Sequence, residues 1–325
     1  MPEYSDRGTE YTDQAYESLL RRFNRVYRQA QREIVQKLDA HTKRMNAADK
    51  QKRAQLAAGK ITKASYDAWL RGQVYAGQLW HDKLQSVTST LLDANRQANA
   101  MIEGERRAVF GENANFQAYL LEHGAGMDLS FTLYDSATVT RRIKEQPELL
   151  PRREVDADKD QAWNQKKIAN AITQGIIQGE SIPEISQRIA RDTGHANNAA
   201  MTRYARTAMT GAQNAGRLEV MRESQDMGIK VKKVWIATLD NRTRPAHQDL
   251  DGQMQDVNEP FDSMLGPIMY PGDPNADEAN TWNCRCTLGY DYEEYPSHGP
   301  RRDNESGEEI EDMTYDEWLE WKEEY

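Results

Sequence analysis

Between residues 16 and 38, apolar side chains recur every three or four positions, at Tyr16, Leu19, Leu20, Phe23, Val26, Tyr27, Ala30, Ile34 and Leu38, with charged residues between them. That period predicts one amphipathic helix. Past a break at Gly59 the same spacing resumes at Trp69 and Leu70. It continues through Val74, Leu79, Trp80, Leu84, Val87, Leu91, Ala94 and Ala98 to Met101, with no proline between Lys60 and Gln146. A second helix of about 45 residues is expected, starting at Thr62 or Ser65, with Gly72, Gly77 and Gly104 as weak points. Helices of this length are held by partners more than by propensity, so helical pairing or a large assembly is their natural setting.

From 122 to 159 the pattern dissolves into a connector with prolines at 147 and 151 and a short strand over 130–134. Helix resumes at about 160–177. Ser181, Pro183 and Glu184 then form an N-cap, a first-turn proline and a capping-box acid. A short helix ending near Gly194 and a longer one over 196–225, closed by Gly228, are expected. At Val231 the period changes to two, with Val231, Lys233, Trp235 and Ala237 on one side and Val234, Ile236 and Leu239 on the other. This predicts a largely buried strand opening a small mixed domain. The fold expected is mainly α, with long N-terminal helices, a small C-terminal α+β domain and a disordered acidic tail. Its segments are 1–121, 122–159, 160–228, 229–292 and 293–325.

Composition adds three points. Only 38% of the 325 residues are hydrophobic and 29% are charged, too polar for one well-filled globule and in keeping with extended helices and tails. No apolar run approaches the roughly 20 residues of a membrane span, and the start has neither the basic flank nor the apolar stretch of an export signal, so neither membrane insertion nor classical export is expected. The net charge of −10 is uneven: residues 289–325 carry 14 acidic against 3 basic groups, which leaves the preceding 288 residues at +1. Within that tail, Thr314 and Glu317 form a capping-box pattern ahead of Trp318, Leu319 and Trp321, which predicts a short helix able to dock on the body or on another subunit. The two cysteines, Cys284 and Cys286, are one residue apart, so no long-loop disulfide framework forms within the chain.

On the helix over 196–225, Arg203, Arg206, Asn214 and Arg217 fall three or four apart or at multiples of that spacing, and so share one face. It reads either as a solvated stripe or as a surface for carboxylates, phosphates or a partner. Further on come Trp235 to Asp240, then Arg242-Thr243, His247, the Leu250-Asp251-Gly252 turn and Asn283-Cys284-Arg285-Cys286. Together with Arg206-Thr207 and Asn214-Ala215-Gly216-Arg217, these fragments stand in an order and spacing that resembles the Mu F-like head-morphogenesis family, the minor head proteins of tailed bacteriophages. The resemblance covers about 160–290.

It implies a low-copy virion protein that joins the procapsid through the portal protein and lies in the head interior or connector region. It would meet scaffolding or major capsid protein, affect genome packaging or ejection, and reside in the host cytoplasm during assembly. No enzymatic turnover is implied. Trp235, Asp240, Arg242, His247, Asp251, Gly252, Asn283, Cys284, Arg285 and Cys286 would be structural anchors, joined by Leu239, and Arg285 would pair with Asp240 or Asp251.

Family members often show what looks like a metal-ligand set, a cysteine pair plus a histidine shortly before Asn-Cys-Arg-Cys. Here Arg244 and His247 stand at the pair and Trp282 precedes Asn283, which leaves His247, Cys284 and Cys286, with Asp249 or Asp251 needed to complete a zinc tetrahedron. Three readings stay open: bound zinc, two small buried thiols with His247 bracing the Asp251-Gly252 turn, or a transient or intermolecular disulfide. The alternative function, a metal-dependent nuclease or nucleotide-modifying enzyme, is weaker because no second histidine lies close to His247 and no His-Glu-x-x-His spacing occurs. Non-specific DNA contact would have to come from local clusters such as Arg21, Arg22, Arg25, Arg28 and Arg32, or Arg203, Arg206 and Arg217.

Overall fold

The computed structural model describes residues 6–75, 78–125, 129–151, 157–292, 301–302, 309–310 and 314–324. Long helices dominate: α1 (Arg7–Ala57), α2 (Lys63–Tyr75), α3 (Gln78–Ala125), α4 (Ser136–Glu145), α5 (Ala157–Ile177) and α6 (Ile182–Asp226). The second expected helix is therefore described as two, α2 and α3, and α3 continues to Ala125, four residues into the expected connector. The connector also holds α4, capped by Asp135 through Thr138 N. The expected strand over 130–134 does not form. Its backbone amides bond instead to side chains of α3: Leu129 N and Phe131 N to Glu122 Oε1, Tyr134 N to Asn115 Oδ1.

The Ser181–Glu184 box caps α6 as expected, with Ser181 N donating to Glu184 Oε2 at 2.6 Å. The helix does not stop at Gly194. A Cβ there would lie 2.6 Å from Gln31 Cγ, so this glycine permits a close side-chain contact inside a continuous helix.

The chain divides into two compact units, each discontinuous in sequence. The unit formed by 20–100 and 153–202 holds helices and no strand among its described residues. Its core comprises Ile34, Leu38, Tyr66, Leu70, Val87, Leu91, Ile168, Ile172, Ile185 and Ile189. A buried polar chain crosses it. Tyr27 Oη donates to Asn95 Oδ1, Asn95 Nδ2 to Asn197 Oδ1 and Asn197 Nδ2 to Asn164 Oδ1, at 2.6–2.8 Å, and so links α1, α3, α6 and α5.

The unit formed by 1–19, 101–152 and 203–325 holds every described strand. Its three-stranded antiparallel sheet has the order β2 (Met254–Asp256), β1 (Val231–Ile236), β5 (Thr287–Tyr292), with Trp235 opposite Leu288. A hairpin of β3 (Phe261–Ser263) and β4 (Gly266–Ile268) and two short helices, α7 (Pro245–Asp249) and α8 (Glu278–Thr281), complete the expected α+β region. β1 is buried on one side only. Val231, Lys233 and Trp235 face inward, whereas Ile236 is 45% and Leu239 65% exposed, so Leu239 is no anchor. Gly216 lets α6 close on α3, since a Cβ would lie 2.3 Å from Phe110 O.

Most of the expected acidic tail, 293–300, 303–308 and 311–313, lies outside the described residues. Its described parts are the paired β6 (Arg301–Arg302) and β7 (Glu309–Ile310) and the helix α9 (Tyr315–Glu324). The Thr314–Glu317 capping box starts α9 as expected. The helix docks on the body: Trp318 is fully buried, and Glu122 of α3 accepts from Trp318 Nε1 at 2.5 Å and Lys322 Nζ at 3.0 Å. Among the described residues no helix is long and apolar enough to cross a membrane.

Candidate functional site

The motif residues converge where β5 meets α6. From α6, Thr207 Oγ1 accepts from Asn283 N, Thr210 Oγ1 donates to Cys284 O, and Gln213 Nε2 donates to Thr287 Oγ1. Asn214 is fully buried. It donates to Pro271 O and Cys286 O and accepts from Leu288 N at 2.7 Å. Arg217, 3% exposed, donates to Leu288 O and Asn113 Oδ1 and pairs with Asp6. This helix face is thus a polar rail that captures the backbone of 283–288 strand-fashion. Arg206 lies over the Tyr16 ring at 3.6 Å and pairs with Asp13. Of the row read as an anion or partner face, only Arg203 is exposed; Arg217 and Asn214 are consumed inside the fold because a long polar strip on a buried helix must be satisfied internally.

Asp240 and Arg285 clasp the exit of β1 through two parallel 2.7 Å bonds. The Arg285 bonds, with Arg242 N, hold the Asp240 carboxyl well below its ordinary pKa. Arg285 therefore pairs with Asp240 rather than Asp251, whose Oδ1 accepts from Ala237 N at 2.8 Å. Gly252 N, next in the turn, donates to Trp235 O.

Beneath this clasp lies the buried cluster. His247, 2% exposed, stands on α7 with its ring edge-on to Trp235 at 5.1 Å. Its Nε2 is 2.9 Å from Asn280 O and 3.0 Å from Asn280 Oδ1, two acceptors that place the proton on Nε2 and leave the Nδ1 lone pair free. Nδ1 faces Cys284 Sγ and Cys286 Sγ, each at 3.5 Å. The thiols divide their acidity: the Cys284 hydrogen bond pulls Cys286 down, and the same bond with burial pushes Cys284 up. Arg244 walls the site, donating to Asn280 O and Trp282 O.

The two nitrogen-to-sulfur separations suit a soft divalent ion. Zinc bonds of about 2.3 Å to sulfur and 2.0–2.1 Å to nitrogen at tetrahedral angles separate S and N by roughly 3.5 Å, the spacing seen here. The outer nitrogen of His247 already has the carbonyl partner that orients metal-bound imidazoles. The cluster has three donors among the described residues, and neither carboxylate considered for the fourth position joins it: Asp249 is exposed and Asp251 is bound to the strand. Sequence reasoning missed Asn280 and gave Arg244 no role at the site. Asp277, the side-chain cap of α8, was the one local signal near Asn280.

Residues 166–289 match the family described as Phage Mu protein F like protein. This segment is Mu F-like. It contains α6, the sheet, the clasp and the buried cluster. The minor head protein GP7 of Bacillus phage SPP1 is 29% identical over 237 residues, which cover 72% of this chain and 74% of that protein. An NAD(+)--arginine ADP-ribosyltransferase, EFV, of Enterococcus faecalis is 37% identical over 157 residues, 47% of this chain and 31% of that protein. An uncharacterized protein of Haemophilus influenzae is 27% identical over 168 residues, 51% of this chain and 33% of its own length. The chain thus spans about a third of the length of two of these relatives and three quarters of the phage protein. No solved structure matches significantly.

Proposed function

We propose that the protein is a non-catalytic minor head protein of a tailed bacteriophage, which joins the procapsid through the portal protein and affects genome packaging or ejection. One observation carries the reading: similarity to the SPP1 minor head protein extends over 72% of this chain and 74% of that protein, beyond the Mu F-like segment. The site chemistry supports it. His247, Cys284 and Cys286 are 2–3% exposed under the Asp240–Arg285 clasp, an arrangement suited to holding β5 on α6 and closed to a substrate. The similarity to the ADP-ribosyltransferase covers less than a third of that protein.

In this reading His247, Cys284 and Cys286 hold a zinc-class ion as a structural staple, and the bound ion would supply cross-linking between α7 and the entry to β5. Metal analysis of protein purified without chelator should give about one thiophilic ion per chain, and replacing it with cobalt should produce a thiolate-to-metal absorption band. A metal-free chain of unchanged melting temperature would refute the staple. For the function, co-expression with the cognate portal protein should yield co-sedimenting complexes. A chain that never enters portal complexes or procapsids, or that transfers ADP-ribose from NAD to arginine over many turnovers, would end the reading.

A further inference from the structure

The C-terminal helix fills a groove on α3 that is specific for its own side chains. Phe116, Tyr119 and Glu122 fall three residues apart on α3 and share one face. Against them α9 sets the buried rings of Tyr315 and Trp318. Phe116 meets Tyr315 edge-on at 5.2 Å, and Tyr119 meets Trp318 at 6.1 Å. Glu122 accepts from Trp318 Nε1 and from Lys322 Nζ one turn on, Tyr315 Oη donates to Glu112 O, and Asp316 pairs with Arg7. A helix filling this groove therefore needs two aromatic rings three residues apart and a lysine four residues beyond, the pattern that α9 carries. Its start signal, Thr314 with Glu317, travels with it.

The tether of this helix is longer than docking on the same chain requires. At the end of β5, Tyr292 Oη donates to Leu121 O, whereas Tyr315 at the start of α9 bonds to Glu112 O, nine residues back along α3. The two anchor points are thus about 14 Å apart at 1.5 Å per residue. Arg301 stands opposite Ile310, so 293–300 and 311–313 carry the span. Those eleven residues reach about 35 Å when extended, more than twice the separation. Opening the β6–β7 pair would raise the reach to about 70 Å.

We propose that α9 is exchanged between two copies of this chain, each docking its helix in the α3 groove of the other. Exchange needs no new surface, because the contacts that form between chains are those that form within one. The arrangement is reciprocal and closes at two copies, with both grooves filled. Within one chain the tether keeps the helix at high effective concentration, so exchange is favoured where copies are concentrated together, and two simultaneous dockings then hold the pair. The inference goes beyond the role proposed above and does not rest on it: the partner is the chain itself, and the test contains no other head component.

The test mixes two full-length variants that carry different affinity tags. Tyr315→Ala with Trp318→Ala spoils the helix and keeps the groove. Tyr119→Glu spoils the groove and keeps the helix; its ring packs on α9 and on its own helix, so the change falls where the groove opens. By light scattering each variant alone should be a single chain, since one lacks a helix to donate and the other a groove to receive it. Mixed in equal amounts, they should give at least about tenfold more two-chain complex than either alone, captured by both tags. Adding Lys322→Glu to the helix donor should weaken that complex at least about tenfold, by setting a carboxylate against the buried Glu122. Wild type should show a two-chain fraction that rises with concentration. Circular dichroism and thermal melting verify that each variant is folded, and Tyr119→Ala replaces Tyr119→Glu should the latter not fold. Folded variants that stay apart on mixing, or a wild type that stays a single chain at every concentration, would overturn the proposal. Two-chain species in either variant alone would also overturn it, by assigning the contact to another surface.

Discussion

Lys233 carries a buried amine whose effect on stability can be measured directly. It lies on the inward face of β1, fully buried, with Nζ donating to Met269 O at 2.8 Å and resting 5.0 Å from the centre of the Phe261 ring. Burial pushes its pKa down to about 7. The unfolded chain holds this amine near 10.4. Between those values the unfolded state binds a proton that the native state has released, so stability rises with pH across the window; below about 7 both states are protonated and the native state bears the full desolvation cost. Each pH unit inside the window is worth about 1.4 kcal/mol, and the titration at 7 reduces the first step, so the gain from pH 7 to 9 is about 2 kcal/mol. Lys233→Met keeps the volume and removes the titration. Urea unfolding of both proteins at pH 6, 7, 8 and 9, followed by tryptophan fluorescence, should show the variant gaining most over wild type at pH 6, with its relative stability falling by about 2 kcal/mol from pH 7 to 9. Taking the difference cancels thiols and other groups that titrate in both proteins. A stability difference independent of pH would refute the burial of a displaced amine at this position.

Asn214→Ala should cost about 3 kcal/mol in the same assay, because it leaves Leu288 N and the carbonyls of Pro271 and Cys286 without their side-chain partner; a loss under 1 kcal/mol would mean the rail is dispensable. Gly216→Ala places a methyl 2.3 Å from the backbone oxygen of Phe110 and should lower the melting temperature or yield insoluble protein, whereas the same change at the open Gly104 should be neutral or stabilising. Glu122→Ala removes the acceptor for Trp318 Nε1 and Lys322, so protease should cut the C-terminal helix faster; equal digestion rates would place the hold elsewhere.

Local chemistry wrote much of the architecture. The three- and four-residue period of α1, the Ser181–Glu184 and Thr314–Glu317 boxes and the switch to two-residue alternation at Val231 each depend on residues within a turn or two of one another, and each element formed where its pattern lay. Local signals failed where a distant partner changed a residue's meaning. Gly194 reads as a terminator until Gln31 is brought against it. The segment 130–134 reads as a strand until Glu122 and Asn115 take its amides.

The same division runs through the candidate site. The sequence by itself marked His247, Cys284 and Cys286 as soft donors, set Asp240 as one of two partners for Arg285, and isolated a cluster of arginines near the N-terminus. Tertiary structure decided which of these face one another. His247 meets the thiols across 37 and 39 residues of chain, and Arg285 meets Asp240 across 45. It also turned Asn214 and Arg217 of the α6 row inward onto β5 while leaving the arginine row of α1 in solvent. Both rows carry helical spacing and like charge, so periodicity cannot separate them; the difference is that buried polar groups must find partners within the fold, and only packing reveals which face is buried.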